Sequence, residues 1–215
     1  INNTRDKKIS TKLKSHKMRL NINNDIDYNN KNTNGLVEFK IINESKQFNY
    51  MIYQNSLSFN STDDNFKGRI DFKPFYFLSE LNFIQLDIKK IFEENSIFIN
   101  LFNSEIFNNP NLNANINMTF NKTKGISNIK DIDLKIFFEE GNIILNTSNL
   151  NWNDSVILNF NDVQLFNQKN KFIITGSIIF DFLDITKFYS HYQIKRNYRK
   201  NIKKIKLDFL FNLDE

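Results

Sequence analysis

The groups that could do acid–base or metal chemistry in this 215-residue chain are few. There are two histidines, His16 and His191, no cysteine, and carboxylate pairs at Asp25/Asp27, Asp63/Asp64, Glu93/Glu94, Glu139/Glu140 and Asp131/Asp133. Asp131 and Asp133, two positions apart on an alternating strand, would share a face, where they could hold a cation or act as an acid and base pair. The competing reading makes them the wet face opposite Ile132 and Leu134. His191 could serve as a general base, but no Ser or Cys accompanies it in a recognisable nucleophile motif, so an ordinary helix-surface histidine is the simpler reading. No Gly-rich phosphate loop, zinc-binding helix, nucleophile elbow or calcium loop occurs. Without cysteine there is no disulfide framework, thiolate metal site or cysteine nucleophile, and two histidines leave no histidine-rich metal site. The expectation is a protein that is not an enzyme and needs neither metal nor cofactor.

The elements that would position these groups are strands. Asn occurs 38 times and Ile 30 times, against one Ala (Ala114), 5 Gly and 2 Pro, a balance that disfavours helical bundles and favours strands joined by Asn-bearing turns. From Asn111 to Phe120 apolar residues hold every even position and polar ones every odd position. That period of two marks a strand with one dry and one wet face. It recurs at Phe66–Phe72, Ile132–Phe138, Val156–Phe160, Phe172–Phe180 and Ile205–Phe211, and more weakly at 17–23 and 36–42. One-sided strands with short polar connections, such as Glu139-Glu140-Gly141-Asn142, belong to an antiparallel meander. Spacings of three and four predict amphipathic helices near 84–107 and 184–194, two or three in all, with Asn109-Pro110 as a stop for the first region. Residues 1–16 and 24–34 are polar and poorly patterned, and loops or frayed ends are expected there.

The fold class expected is mostly β: an elongated, curved antiparallel sheet, a groove or half-barrel, with those helices. Residues 1–16 form a flexible basic end and 17–215 a single β domain, since no Gly- or Pro-rich linker divides it. The chain opens on Ile1, contains no apolar run long enough to span a bilayer and has no secretory signal, so it reads as a fragment of a longer protein.

Net charge is +5, unevenly placed: residues 1–20 carry +6, residues 195–206 carry +7, and the body from 21 to 194 carries −5. A nucleic-acid binder spreads cations over a face with interleaved aromatics or a module signature, and neither marks this body. The basic patch Lys195, Arg196, Arg199, Lys200, Lys203, Lys204 and Lys206 suits anionic lipid head groups better, and no nucleic-acid partner is expected.

The apolar faces then call for a partner. Leu112, Ile116, Met118, Phe120, Ile132, Leu134, Ile136, Ile178, Phe180, Leu207, Phe209 and Phe211 line the dry sides of their strands, and three short helices are too few to cover them. Such a face meets another sheet, another chain or a lipid. It is either a trough for acyl chains or a packed core or partner interface.

From about residue 66 onward the chain resembles the C-terminal region of the AsmA-like proteins, the envelope family that includes TamB-type members. The resemblance is carried, in order, by Phe66-Lys67-Gly68-Arg69-Ile70-Asp71-Phe72-Lys73-Pro74-Phe75, the Leu86–Lys90 segment, and Asn111-Leu112-Asn113-Ala114-Asn115-Ile116. It continues through Glu139-Glu140-Gly141-Asn142-Ile143, Ile185-Thr186-Lys187-Phe188-Tyr189 and Tyr198-Arg199-Lys200-Asn201-Ile202-Lys203-Lys204-Ile205. It implies a periplasmic protein, anchored in the inner membrane by a segment preceding this one. Its lipid-lined sheet would move phospholipid toward the outer membrane, with an outer-membrane or other envelope protein as a further partner. The alternative within the same family is a structural module for outer-membrane assembly. Neither reading requires a cofactor, and the family offers no catalytic residues to carry over.

Overall fold

The computed structural model describes residues 7–15, 20–28, 33–41, 44–87, 109–126, 128–168 and 171–212. The fold is mostly β and antiparallel, as the period of two implies. The chain divides into two compact units, Ile1–Leu81 and Asn82–Glu215, and the division falls inside a strand rather than at a linker.

The first unit is a meander of β1 (Lys7–Ser15), β2 (Leu20–Tyr28), β3 (Thr33–Ile41), β4 (Glu44–Tyr53), β5 (Ser56–Ser61), β6 (Phe66–Phe72) and the start of β7 (Phe75–Asp87). Each strand pairs antiparallel with the next. Register carries one face through the unit: Ile9 lies opposite Ile26, Ile26 opposite Gly35, Gly35 opposite Tyr50, Tyr50 opposite Phe59, and Phe59 opposite Gly68. On that face Phe48 meets Phe59 edge-on and Phe66 at a tilt, with centroids 6.1 and 6.2 Å apart, and Phe59 stacks on Phe77 at 6.2 Å. Such cross-strand aromatic pairs stabilise a sheet by up to about 1 kcal/mol each.

The strand β1 corrects the frayed end expected for 1–16, and β2 and β3 claim most of the loop expected at 24–34. Propensity in these segments is weak, but Ile9, Thr11 and Leu13 alternate with Lys8, Ser10, Lys12 and Lys14, and nine paired positions with β2 satisfy the main chain. Long-range pairing overrides local composition here.

The second unit comprises residues 82–87 of β7, then β8 (Ala114–Lys124), β9 (Ile129–Glu139), β10 (Asn142–Leu145), β11 (Ser148–Trp152), β12 (Val156–Gln168), β13 (Lys171–Phe182), α1 (Ile185–His191), a 3-10 turn at Arg196–Tyr198, and β14 (Lys204–Asn212). The β9–β10 hairpin turns on Glu140 (φ 51°) and Gly141 (φ 78°), the paired left-handed residues that tight two-residue hairpins demand. Asp184 caps α1, its carboxylate accepting from Lys187 N at 2.9 Å.

Among the described residues α1 is the one α-helix, within the helix expected at 184–194. The helical region expected at 84–107 is corrected at its start: residues 84–87 continue β7, and 88–107 lie outside the described residues. The three-and-four spacing of Ile84 competes with a period of two through Phe77, Ser79, Leu81 and Phe83. The second wins because Phe83 stacks on Phe120 at 4.7 Å and Asp87 reaches Lys124 at 3.5 Å. The strand expected from Asn111 begins instead at Ala114: Asn111 N donates to Asn109 Oδ1 at 2.9 Å and Leu112 N to Asn109 O at 3.0 Å, which folds 109–112 into a turn.

Two glycines permit close approach on the apolar face of the first unit. A Cβ on Gly68 would fall 2.5 Å from the Leu78 carbonyl oxygen and from the Phe59 ring, and one on Gly35 would fall 2.3 Å from the Tyr50 ring. Gly68→Ala is expected to cost about 1–3 kcal/mol in urea unfolding, because a main-chain carbonyl cannot step aside. Gly35→Ala should cost less, since the Tyr50 ring can swing at the expense of its 2.9 Å bond to Asn24.

Candidate functional site

In the second unit the ladder collects eleven of the twelve apolar candidates on one side. Ile116 lies opposite Ile136, Met118 opposite Leu134 and Phe120 opposite Ile132. Further along, Ile178 lies opposite Leu207, Gly176 opposite Phe209, Ile174 opposite Phe211 and Phe180 opposite Ile205. The strands between them join the two groups: Leu145 of β10 faces both Ile136 and Val163, and Leu158 and Phe160 of β12 face Phe180 and Ile178. Leu112 stands apart in its turn, off the ladder.

Sequence reasoning stopped β12 at Phe160 and so missed Val163 and Leu165, which lie on the same side. A bulge between Asn161 and Gln164 inserts one residue, and Asp162 absorbs it at φ 51°. Inward positions therefore switch from even (156, 158, 160) to odd (163, 165), a phase shift visible in the sequence as apolar alternation resuming one residue late. Ile143 and Leu145 were missed because a four-residue strand is too short to show a period.

Burial is graded across this face. Phe120 and Ile132 are 4% and 6% exposed, whereas Leu207 and Phe211 on β14 are 48% and 59% exposed. Among the described residues seven apolar side chains are buried, all in the second unit, while eighteen large apolar ones are exposed.

One end of the face is capped. Trp152 and Phe182 each lie opposite Val156, and α1 sets Phe188 edge-on to both, at 6.1 and 5.2 Å, with Tyr192 at 5.7 Å from Trp152. Tyr189, buried, ties α1 to the following segment: its hydroxyl donates to Lys200 O at 2.7 Å and accepts from Lys200 N at 3.1 Å.

The titratable candidates disperse. Asp131 occupies a left-handed position (φ 47°), where β9 shifts register against β11, so the alternation that would align it with Asp133 is broken. It accepts from Asn151 at 3.3 Å, while Asp133 faces Thr119 and Asn149. His191 ends α1, its Nε2 3.2 Å from the Asn128 amide. Asp25 accepts from Ser10 and Asp27 pairs with Lys8. Glu139 precedes the β9–β10 turn and Glu140 lies in it; Glu93/Glu94 and His16 lie outside the described residues. Among the described residues no three His, Asp or Glu side chains gather as a metal site would require.

Two carboxylates are held below their ordinary range by cations. Lys130 donates to Asp154 at 2.7 Å, which lowers the Asp154 pKa and raises that of Lys130. Lys46 donates to Asp63 at 2.5 Å, joined by Ser61 Oγ at 2.6 Å and Asn65 N at 3.3 Å, and this holds the Asp63 carboxyl well below the carboxylate range. The basic patch divides as well. Arg199 Nε donates to Ile194 O, Lys204 pairs with Asp181 and Lys206 with Asp208, while Lys195, Arg196, Lys200 and Lys203 are exposed and, among the described residues, form no ion pair.

Comparison with family models, with curated proteins and with solved structures returns no match. No helix among the described residues is long and apolar enough to cross a membrane.

Two outcomes test this geometry. Tyr189→Phe should lose about 1–2 kcal/mol of stability and shift the emission of Trp152, the one tryptophan, in denaturant titration. A lowered folded pKa means that Asp63 stabilises the fold above the ordinary carboxylate value of about 4 and that this contribution is lost as pH falls through the lowered value. Lys46→Met should therefore raise the Asp63 carboxyl midpoint in an NMR titration and shrink the loss of stability below that pH; an unmoved midpoint would contradict the assigned cause.

Proposed function

We propose that this chain handles lipid without catalysis, its apolar β face binding or conducting phospholipid acyl chains between the inner and outer membranes of a bacterial envelope. The observation that carries the reading is the continuous apolar side of the second unit, which remains exposed toward β14, where Leu207 and Phe211 stand open. Burying apolar area there is worth about 25 cal/mol per Å2, and the register offers rows of Ile, Leu and Phe without deep polar pockets, so a chain could move along it without breaking strong bonds. The ordered resemblance to the C-terminal region of AsmA-like proteins supports the same reading, together with a periplasmic location and an inner-membrane anchor outside this segment.

A second reading, an assembly module whose apolar face is core or partner interface, is favoured at one place. There Phe120, Ile132 and Phe138 are already buried by their neighbours.

Photo-crosslinking separates the two. A benzophenone side chain at Ile178, Leu207 or Phe209 should capture phospholipid when the protein is made in cells, while one at Asn159 of β12 or Asp208 of β14, on the opposite side of the sheet, should not. Equal capture at both sides, or none at either with a lipid-free protein in native mass spectrometry, would sink the proposal.

A further inference from the structure

Residues 183–203, which join β13 to β14, carry exposed apolar groups and cations that no acid among the described residues neutralises. Lys195, Arg196, Lys200 and Lys203 lie within nine residues and, among the described residues, have no ion-pair partner, in contrast with Lys204 and Lys206 immediately after them. Leu183 and Tyr198 are 61% and 68% exposed. The segment is nevertheless tied down: Phe182 N donates to Lys203 O at 2.9 Å, Tyr198 N to Lys195 O at 3.0 Å, and the Tyr189 hydroxyl holds both polar groups of the Lys200 main chain. These bonds set Phe182, the neighbour of Leu183, opposite Lys203 and hold the four cations on a short, fixed stretch of backbone.

Charge and apolarity together select the partner. An acidic protein surface would neutralise the cations and could pack on Tyr198, but a surface acidic enough for four cations is too polar to bury Leu183. A nucleic acid would pair with the cations and stack on Tyr198 but offers Leu183 no apolar medium to enter. A bilayer with anionic lipid accommodates both: Tyr settles at head-group depth, an aliphatic side chain reaches the acyl boundary, and each Lys or Arg gains from the negative surface potential. We propose that residues 183–203 dock this chain onto the surface of a membrane containing anionic lipid. Contact runs through Lys195, Arg196, Lys200 and Lys203, with Leu183 and Tyr198 entering the interface.

The test is flotation of the whole chain with vesicles of phosphatidylcholine alone and of phosphatidylcholine with phosphatidylglycerol. Binding should require phosphatidylglycerol and fall steeply with salt. Reversing Lys195, Arg196, Lys200 and Lys203 to Glu should weaken partitioning roughly a hundredfold or more, on the scale of about fivefold per cation at such a surface. Leu183→Ser with Tyr198→Ser should weaken it several-fold with the charge unchanged. Reversal of Lys8, Lys12 and Lys14 on β1 should leave it nearly intact. Circular dichroism checks that each variant folds. Equal binding to both vesicle types, full binding by the four-residue variant, or displacement of the protein from vesicles by an oligonucleotide would overturn the inference. It stands apart from the acyl-chain reading: a chain that captures no lipid in cells but binds phosphatidylglycerol vesicles through these residues refutes the function proposed above and upholds this one.

Discussion

Strand register is the constraint on which the rest depends. Side chains alternate along a strand, so once two strands pair, each residue's partner and face are settled, and a slip of one residue would exchange the faces. Here the parity is passed from strand to strand within each unit. On the inward side of β13 and β14, Ile174 lies opposite Phe211, Gly176 opposite Phe209, Ile178 opposite Leu207 and Phe180 opposite Ile205. Where the chain inserts an extra residue, as at Asp162, a left-handed backbone absorbs it and the inward set changes from even to odd without leaving its side. The main-chain hydrogen bonds thus determine which hydrophobic groups lie together, and the hydrophobic groups in turn make any other register costly.

Within this frame the aromatic residues do different work in the two units. In the first, Phe48, Phe59, Phe66 and Phe77 form a ladder, and rings lie over Gly35 and Gly68 where a side chain would collide. A ring over a glycine recovers apolar contact that the missing side chain forfeits. In the second, Trp152, Phe182, Phe188 and Tyr192 gather around a helix of seven residues that could not persist alone and is held by that packing and by Asp184.

The polar residues mostly serve the same architecture. Asp63 organises the β5–β6 turn through Lys46, Ser61 and Asn65, and Asp154 links Lys130, Asn151 and Lys187 near the foot of α1. Each of these is a surface network in water, where screening keeps individual pairs weak and makes them useful chiefly for fixing turns. Cations left out of such networks, Arg196 and Lys203 among them, are therefore the conspicuous ones.

The alternation of wet and dry positions sufficed to place β6, β13 and β14 nearly to the residue and all but the start of β9, and the three-and-four spacing over 184–194 sufficed for α1, because in these segments local pattern and long-range pairing agree. Charge location was equally legible from the chain alone. Local pattern could not supply β1, whose lysines hide its alternation until β2 supplies nine paired positions, nor the strand character of 84–87, where Phe83 is held by Phe120 from another strand. Nor could it reveal that the register slip at Asp131 separates it from Asp133, or that the late-resuming alternation after Asp162 returns Val163 and Leu165 to the same side as Phe160. In each case the deciding contact comes from residues distant in sequence, and periodicity along one strand holds no information about where its neighbour will pair.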